Sequence, residues 1–304
     1  MITVATDCSG IDAPIEALKQ LGVSFKQLWY CDNNKYARET SEANHPKPEI
    51  FFDDMLSRNN KSLPHLDLYI CGFPCQSFSL AGKRLGTSDP RSGIIPKMME
   101  TIHYSKPKIC ILENVRGFVN IEKGVPCKKL MDFLSNEGYS TDCSLYNTKY
   151  YGIPQNRERM YIVAIRKDIK IKDYKKPEHL PMKPFDDLIL EKKIHKEEIP
   201  SIYKKNLHKL KPFTKVISAK NYYSPMEHVS NTLDTTCRYL YLVKYNRAIT
   251  IEEALSLQGF PRKFNICVST TQIMKQIGNT MSVNVLKEIM KEVFKCVERK
   301  KALE

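Results

Sequence analysis

Over the first 166 residues, short apolar runs alternate with stretches whose apolar residues recur at helical spacing. Ile2–Thr6 reads as a strand, and Ala13–Leu21 as a helix with Ile15, Leu18 and Leu21 on one face. Phe25–Cys31, Leu66–Cys71, Ile109–Leu112, Tyr139–Asn147 and Arg159–Arg166 are further predicted strands. Lys35–Ala43, Ile94–His103 and Cys127–Asn136 are predicted helices. Strands alternating with helices predict an α/β fold, a mostly parallel sheet with helices on both faces. Ligands of such sheets bind outside the carboxyl ends of the strands. The residues just after each strand are therefore the first to inspect.

From about residue 167 to 245 the alternation is lost, and lysine, proline and tyrosine become frequent. This predicts a smaller, irregular, loop-rich lobe. A helical pattern returns at Ile249–Leu257, and Thr280–Arg299 reads as one long amphipathic helix. The expected division is a domain of residues 1–168 plus 276–304 and a second of residues 169–275.

Hydrophobic residues make up 42% of the 304, enough for a packed core. No run of about 18 apolar residues predicts a membrane span. The N-terminus has no basic region followed by a long apolar one, so no secretory leader is read and an intracellular setting is expected. The ten cysteines are scattered, which suits reduced thiols. Cys71 and Cys75 lack a second pair at ligand spacing, so no metal site is expected.

The formal net charge is +14. Residues 166–220 carry sixteen Lys and Arg against eight Asp and Glu, so the excess concentrates in the irregular lobe. Such a face favours a polyanion.

Three segments carry candidate chemistry. After the Leu66–Cys71 strand comes GFPCQSFS, Gly72–Ser79, in which Gly and Pro bracket a turn that presents Cys75. Gln76, Ser77 and a following loop with Lys83, Arg84 and Arg91 make the setting electropositive, which favours a thiolate. Glu113 follows a buried strand, where a carboxylate is a candidate acid or base. Gln155, Arg157 and Arg159 alternate on entry to a strand, so their side chains can share one face.

Together these segments resemble the cytosine-5 DNA methyltransferase family. GFPCQSFS is similar to its nucleophile motif, and ILENVRGF, Ile111–Phe118, to its Glu-Asn-Val motif. Gln155, Arg157 and Arg159 fit its Gln-x-Arg-x-Arg motif. RAITIEEALSLQGFP, Arg247–Pro261, and QIGNTMSVNVL, Gln276–Leu286, resemble its two closing motifs. Five motifs agree in order over nearly the whole chain.

The resemblance implies a Rossmann-like, S-adenosylmethionine-dependent catalytic domain and a smaller target-recognition domain. It implies that Cys75 attacks carbon 6 of cytosine and that Glu113 holds and protonates ring nitrogen 3. Arg159, with Arg157 beside it, contacts the carbonyl oxygen. Cofactor contacts fall to Cys8, Ser9, Gly10, Ile11, Asp32, Asn33, Asp54, Met55, Gly72, Pro74, Asn279 and Ser282. Duplex DNA is the implied partner, met by Gln76, Ser79, Lys83, Arg84 and Arg91 in the catalytic loop. Asn221, Thr232, Thr235 and Arg238 are the expected base readers. Monomer is the default state.

The chain departs from the family in its cofactor segments. Cys8 stands where an aromatic residue is usual, Asp12 replaces a glycine, and Asn33 replaces a large apolar residue that stacks on adenine. These changes imply weaker cofactor binding. Three other readings compete, of which a Rossmann enzyme acting on a small molecule is disfavoured by the basic middle lobe and the Gln155-Arg157-Arg159 run. A transfer-RNA methyltransferase of the same fold usually has Pro-Pro-Cys where this chain has Phe73-Pro74-Cys75. A catalytically silent DNA-binding homologue would not need Cys75, Glu113, Arg157 and Arg159 intact.

Overall fold

The computed structural model describes residues 1–74, 93–190, 201, 215–217, 222–224 and 228–297. They divide into two compact units. The first comprises residues 1–146, 158–178 and 286–304, and the second 147–157 and 179–285. Residues 147–157, expected with the catalytic domain, thus cluster with the second unit.

The first unit is built on one seven-stranded sheet. Its strands are β1 (Ile2–Asp7), β2 (Phe25–Cys31), β3 (Ile50–Phe52), β4 (Leu68–Cys71), β5 (Ile109–Val115) and β6 (Tyr139–Asn147). After the short β7 (Gln155–Asn156) of the second unit comes the last sheet strand, β8 (Glu158–Arg166). The order is β3-β2-β1-β4-β5-β8-β6. β3, β2, β1, β4 and β5 run parallel, and β8 pairs antiparallel with β5. β4 and β5 are buried on both faces, as expected of strands covered by helices on each side. Strand order reverses between β1 and β4, so the ligand edge lies at their carboxyl ends.

The helices are α1 (Ala13–Gln20), α2 (Lys35–Asn44), α3 (Ile94–Ser105) and α4 (Val125–Asn136). One face of the sheet buries Trp29, Tyr69, Leu112, Met160 and Ile162 with Met98 and Ile102 of α3 and Leu130 and Leu134 of α4.

In the second unit, α5 (Ile251–Leu257) begins with a capping box formed by Thr250 and Glu253. α6 (Thr270–Asn279), which the sequence pattern did not identify, ends where the Thr280 backbone turns extended, with φ −71° and ψ 155°. The helix expected over Thr280–Arg299 is α7 (Val283–Phe294), shorter at both ends. β9 (Lys215–Ile217) and β10 (Tyr222–Ser224) form an antiparallel pair, and β11 (Ser230–Asn231) pairs parallel with β7. Among the described residues, no helix is long and apolar enough to cross a membrane, and no three His, Cys, Asp or Glu converge on a metal site.

Candidate active site

The turn after β1 takes the left-handed backbone region three times in five residues, at Cys8 (φ 50°), Gly10 (φ 56°) and Asp12 (φ 58°). It brings the Gly10 N–H to 2.8 Å from Asp32 Oδ2 at the end of β2. The Tyr30 hydroxyl donates to the Gly10 carbonyl at 2.9 Å, and the Ser9 hydroxyl donates to Thr6 and the Cys31 carbonyl. A Cβ built on Gly10 meets nothing within 4 Å, so the loop has an open side there. Burial raises the Asp32 carboxyl, opposed by hydrogen bonds from the Asn34 and Gly10 N–H groups.

The other expected cofactor residues stand around this turn in varied settings. The Leu56 N–H donates to Asp54 Oδ1 at 2.9 Å, and Met55 is buried with its sulfur 3.9 Å from Cys8 Sγ. Ile11 is fully buried, and its carbonyl lies 3.0 Å from His45 Nε2. Asn33 is exposed. Gly72 and Pro74 follow β4 directly.

Asp12 does not face the open side. It is fully buried, and Gln27 Nε2 donates to its Oδ2 at 2.8 Å. Aspartate tolerates the left-handed region better than most residues, so the turn survives loss of the usual glycine. Burial raises the Asp12 carboxyl to about 7, against hydrogen bonds from Gln27 and Thr6.

Beneath this turn lies a buried network that sequence reading missed. Asp7, the last residue of β1, accepts both terminal nitrogens of Arg58 at 2.7 and 2.6 Å. Trp29 Nε1 donates to Asp7 at 3.0 Å and the Tyr69 hydroxyl at 2.7 Å. Arg58 also donates to Asn60 and Thr101. A buried carboxylate with four donors to its two oxygens is well compensated, and it fixes the residue from which the turn of residues 8–12 departs. An acid within an otherwise apolar strand was the available signal, but its cation lies 51 positions away.

The second group of site residues sits at the ends of β4 and β5. Glu113 is 8% exposed, and Arg159 Nε lies 3.3 Å from its Oε1. The register pairs Val115 with Arg159 and Glu113 with Tyr161, so Glu113 and Arg159 are diagonal neighbours on one sheet face. Arg159 also donates to the Glu158 carbonyl at 2.8 Å. Asn114 donates to the Phe73 carbonyl at 3.3 Å, and the Phe73 ring packs edge-on against Phe118 at 5.1 Å. These contacts hold the turn two residues before Cys75. Cys75, Gln76, Ser79, Lys83, Arg84, Arg91 and Asn221 lie outside the described residues.

Arg157 precedes β8 and falls in the second unit. It is 2% exposed in the second unit, donating to the carbonyls of Leu233 (2.7 Å), Gly278 (3.3 Å) and Thr280 (2.7 Å). Gln155 lies in the same interior, donating to the Leu257 carbonyl at 2.6 Å and accepting from the Leu233 N–H at 3.0 Å. The alternation of the motif breaks because β7 ends at Asn156 and β8 starts at Glu158. A Cβ on Gly278 would lie 2.1 Å from the Asp234 backbone, so only glycine fits there. Gln155, Arg157 and Gly278 thus lock the 233–235 segment in place.

Ser282, expected at the cofactor, is buried in the second unit within 2.8 Å of the Thr148 hydroxyl and 3.2 Å of Gln258 Oε1. Asn279 is exposed at the end of α6. Thr232 donates to the Asn156 carbonyl at 2.6 Å, whereas Thr235 and Arg238 are exposed.

The sheet order, the glycine turn after β1 and the acid after β2 define a Rossmann-like methyltransferase fold. The chain belongs to the C-5 cytosine-specific DNA methylase family, whose sequence profile matches residues 5–236 and 188–295. It is 39% identical over 162 residues to the orphan methyltransferase M.SPRI of Bacillus phage SPR, covering 53% of this chain and 37% of that one. The chain therefore spans well under half the length of that phage enzyme. It is 31% identical over 292 residues to the type II methyltransferase M1.ScrFI of Lactococcus lactis subsp. cremoris, covering 91% of this chain and 74% of the relative. The fold also matches the solved S. pombe Dnmt2 methyltransferase, with a TM-score of 0.72 at 18% identity over 97% of this chain and 99% of that one.

Proposed function

We propose that the protein transfers a methyl group from S-adenosylmethionine to carbon 5 of cytosine in duplex DNA, with Cys75 as nucleophile. The observation that carries this reading is the pairing of Glu113 with Arg159 on β5 and β8, beside the Asn114–Phe73 hydrogen bond. It places an oriented carboxyl and a cation next to the turn that leads to Cys75.

The cofactor edge fits a nucleoside ligand. Gly10 leaves open space above the turn, and Asp32 supplies an acid for the ribose hydroxyls. Asp54 is a candidate for the adenine amino group. When bound, S-adenosylmethionine supplies the electrophilic methyl that carbon 5 accepts.

The residues of the chain do the rest. Carbon 5 of cytosine is a poor nucleophile until a thiolate adds to carbon 6. The Cys75 sulfur forms that bond while Glu113 protonates nitrogen 3, which takes up the charge pushed into the ring. Arg159 orients Glu113 and contacts the cytosine carbonyl oxygen. Loss of the carbon-5 proton, to water or a side chain, then expels Cys75. A paired base cannot reach this site, so the cytosine must leave the stack, at a cost of a few kcal/mol. Gln76, Ser79, Lys83, Arg84 and Arg91 are proposed to meet the DNA backbone, and Asn221, Thr232, Thr235 and Arg238 the base edges. A monomer working inside the cell accounts for these parts.

The test is label transfer from tritiated S-adenosylmethionine to mixed-sequence duplex DNA, followed by bisulfite sequencing. Label on DNA at protected cytosines from wild type, and none from Cys75→Ala, supports the proposal. Label on transfer RNA alone would move the reading to an RNA enzyme.

A further inference from the structure

Arg58 follows β3 on the same stretch as Asp54 and Met55. Its side chain is 1% exposed. A buried guanidinium is a rigid fork of donors, so it demands acceptors at set positions. Both terminal nitrogens reach Asp7 at the end of β1, at 2.7 and 2.6 Å. Nη2 also donates to Thr101 of α3 at 2.9 Å, and Nε donates to Asn60 at 2.8 Å. The guanidinium carbon lies 5.5 Å from the Trp29 ring centroid on β2 and 5.0 Å from that of Phe52 on β3. One side chain therefore meets β1, β2, β3 and α3.

Two segments that the family resemblance assigns to the cofactor flank this group. The turn of residues 8–12 leaves directly from Asp7. The 54–58 stretch touches that turn, with the Met55 sulfur 3.9 Å from Cys8 Sγ. It is short and internally braced. The Leu56 N–H donates to Asp54 Oδ1 at 2.9 Å, and the Ser57 hydroxyl donates to the Asp54 carbonyl at 3.2 Å. Beyond it, Lys97 Nζ donates to the Arg58 carbonyl at 3.4 Å, and Asn60 donates to the Lys97 carbonyl at 3.2 Å. The stretch is thus pinned to α3 on one side and to Asp7 on the other. Stability alone does not call for a buried ion pair, since apolar residues of similar volume often serve as well. What the pair adds is direction, because two parallel N–H···O bonds fix angle as well as distance.

We propose that Arg58 is a positioning residue for S-adenosylmethionine. Through Asp7 it sets the origin of the 8–12 turn, and through its own backbone it sets Asp54 and Met55 against that turn. The inference rests on the proposed function and deepens it. Affinity for the cofactor is governed from a buried layer beneath the residues that touch it, whereas the chemistry at cytosine is not.

Two variants of the full-length protein test it. Arg58→Lys keeps a cation beside Asp7 but loses the fork. Asp7→Asn/Arg58→Gln removes both charges together and leaves polar groups for Trp29, Tyr69 and Thr101. Asp67→Asn is the control, because it weakens a different ion pair, 2.9 Å to Lys108, at the amino ends of β4 and β5. Each protein is followed by urea unfolding, by calorimetry with S-adenosylmethionine and by methyl transfer to duplex DNA. In both Arg58 variants, Kd and KM for S-adenosylmethionine are expected to rise roughly tenfold or more, with kcat at saturating cofactor within about threefold of wild type. Asp67→Asn should lower the unfolding midpoint and keep Kd within about twofold. Folded Arg58 variants with the wild-type Kd would overturn the inference alone. So would an equal loss of affinity in Asp67→Asn, since the effect would then follow stability. Wild type that binds no S-adenosylmethionine would overturn the proposed function, and this inference with it.

Discussion

Arg159 Nε stands 3.3 Å from Glu113 Oε1, diagonally across the β5–β8 ladder. The two are partly shielded from water, with side chains 17% and 10% exposed, so the pairing fixes where the carboxyl points. In the proposed reaction, a group that meets nitrogen 3 of a base gains from being held before the base arrives. Glu113→Gln keeps the shape but cannot deliver a proton. Its kcat is expected to fall roughly 10²–10⁴-fold, with duplex DNA binding unchanged in a mobility-shift assay. Arg159→Ala should cost roughly 10²-fold in kcat. Equal activity of Glu113→Gln and wild type would remove Glu113 from the chemistry.

Arg157 has a different task. Its guanidinium holds the carbonyls of Leu233, Gly278 and Thr280, and the Gly278 backbone admits no Cβ beside Asp234. Gly278→Ala must push the two segments apart, and a destabilisation of about 1–3 kcal/mol is expected. Urea unfolding of Gly278→Ala checks this, and an unchanged midpoint would contradict the packing described.

Asp12 makes stability depend on pH. Its folded carboxyl is raised to about 7 by burial, while the unfolded one titrates near 4. The folded state therefore keeps a proton that the unfolded state gives up earlier. This contribution is full below about pH 4 and is lost as pH rises through 7. His45 works in the opposite sense, because burial lowers it to about 4 and stability falls as pH drops below its unfolded value. Asp12→Asn isolates the first effect. It should be more stable than wild type above pH 7, by at most about 4 kcal/mol, and equal to it below pH 4. A constant difference across that range would show that Asp12 stays ionised.

The proposed cofactor edge keeps the turn and the acid, but Asn33 stands where the family resemblance implies a large apolar residue on adenine. Asn33 is exposed beside Asp32. Asn33→Trp is expected to tighten S-adenosylmethionine binding by about 0.5–1.5 kcal/mol, roughly two- to tenfold in calorimetry. Weaker or unchanged binding would mean that adenine does not lie against residue 33.

Much of the catalytic sheet was legible in the sequence. Phe25–Cys31 and Tyr139–Asn147 have the expected bounds, because apolar runs flanked by turn residues identify buried strands. β3 escaped because three residues are too few to show a period. α7 was legible because its apolar residues recur at helical spacing, whereas α6, just before it, was not identified. Glu113 and Arg159 were found by motif and are brought together by strand pairing. Arg157 was misplaced because spacing of two implies a shared face only within one strand. The Asp7–Arg58 pair was invisible for want of any local pattern joining its members.

The most direct test of the central claim is covalent capture. Duplex DNA carrying 5-fluorocytosine, protein and S-adenosylmethionine are combined, then separated on a denaturing gel. Fluorine at carbon 5 blocks the elimination that frees Cys75. The account predicts a protein–DNA adduct that survives denaturation, with the DNA attached to the peptide containing Cys75, and none from Cys75→Ala. Methyl transfer to unmodified duplex without such an adduct, or an adduct that persists in Cys75→Ala, would contradict it.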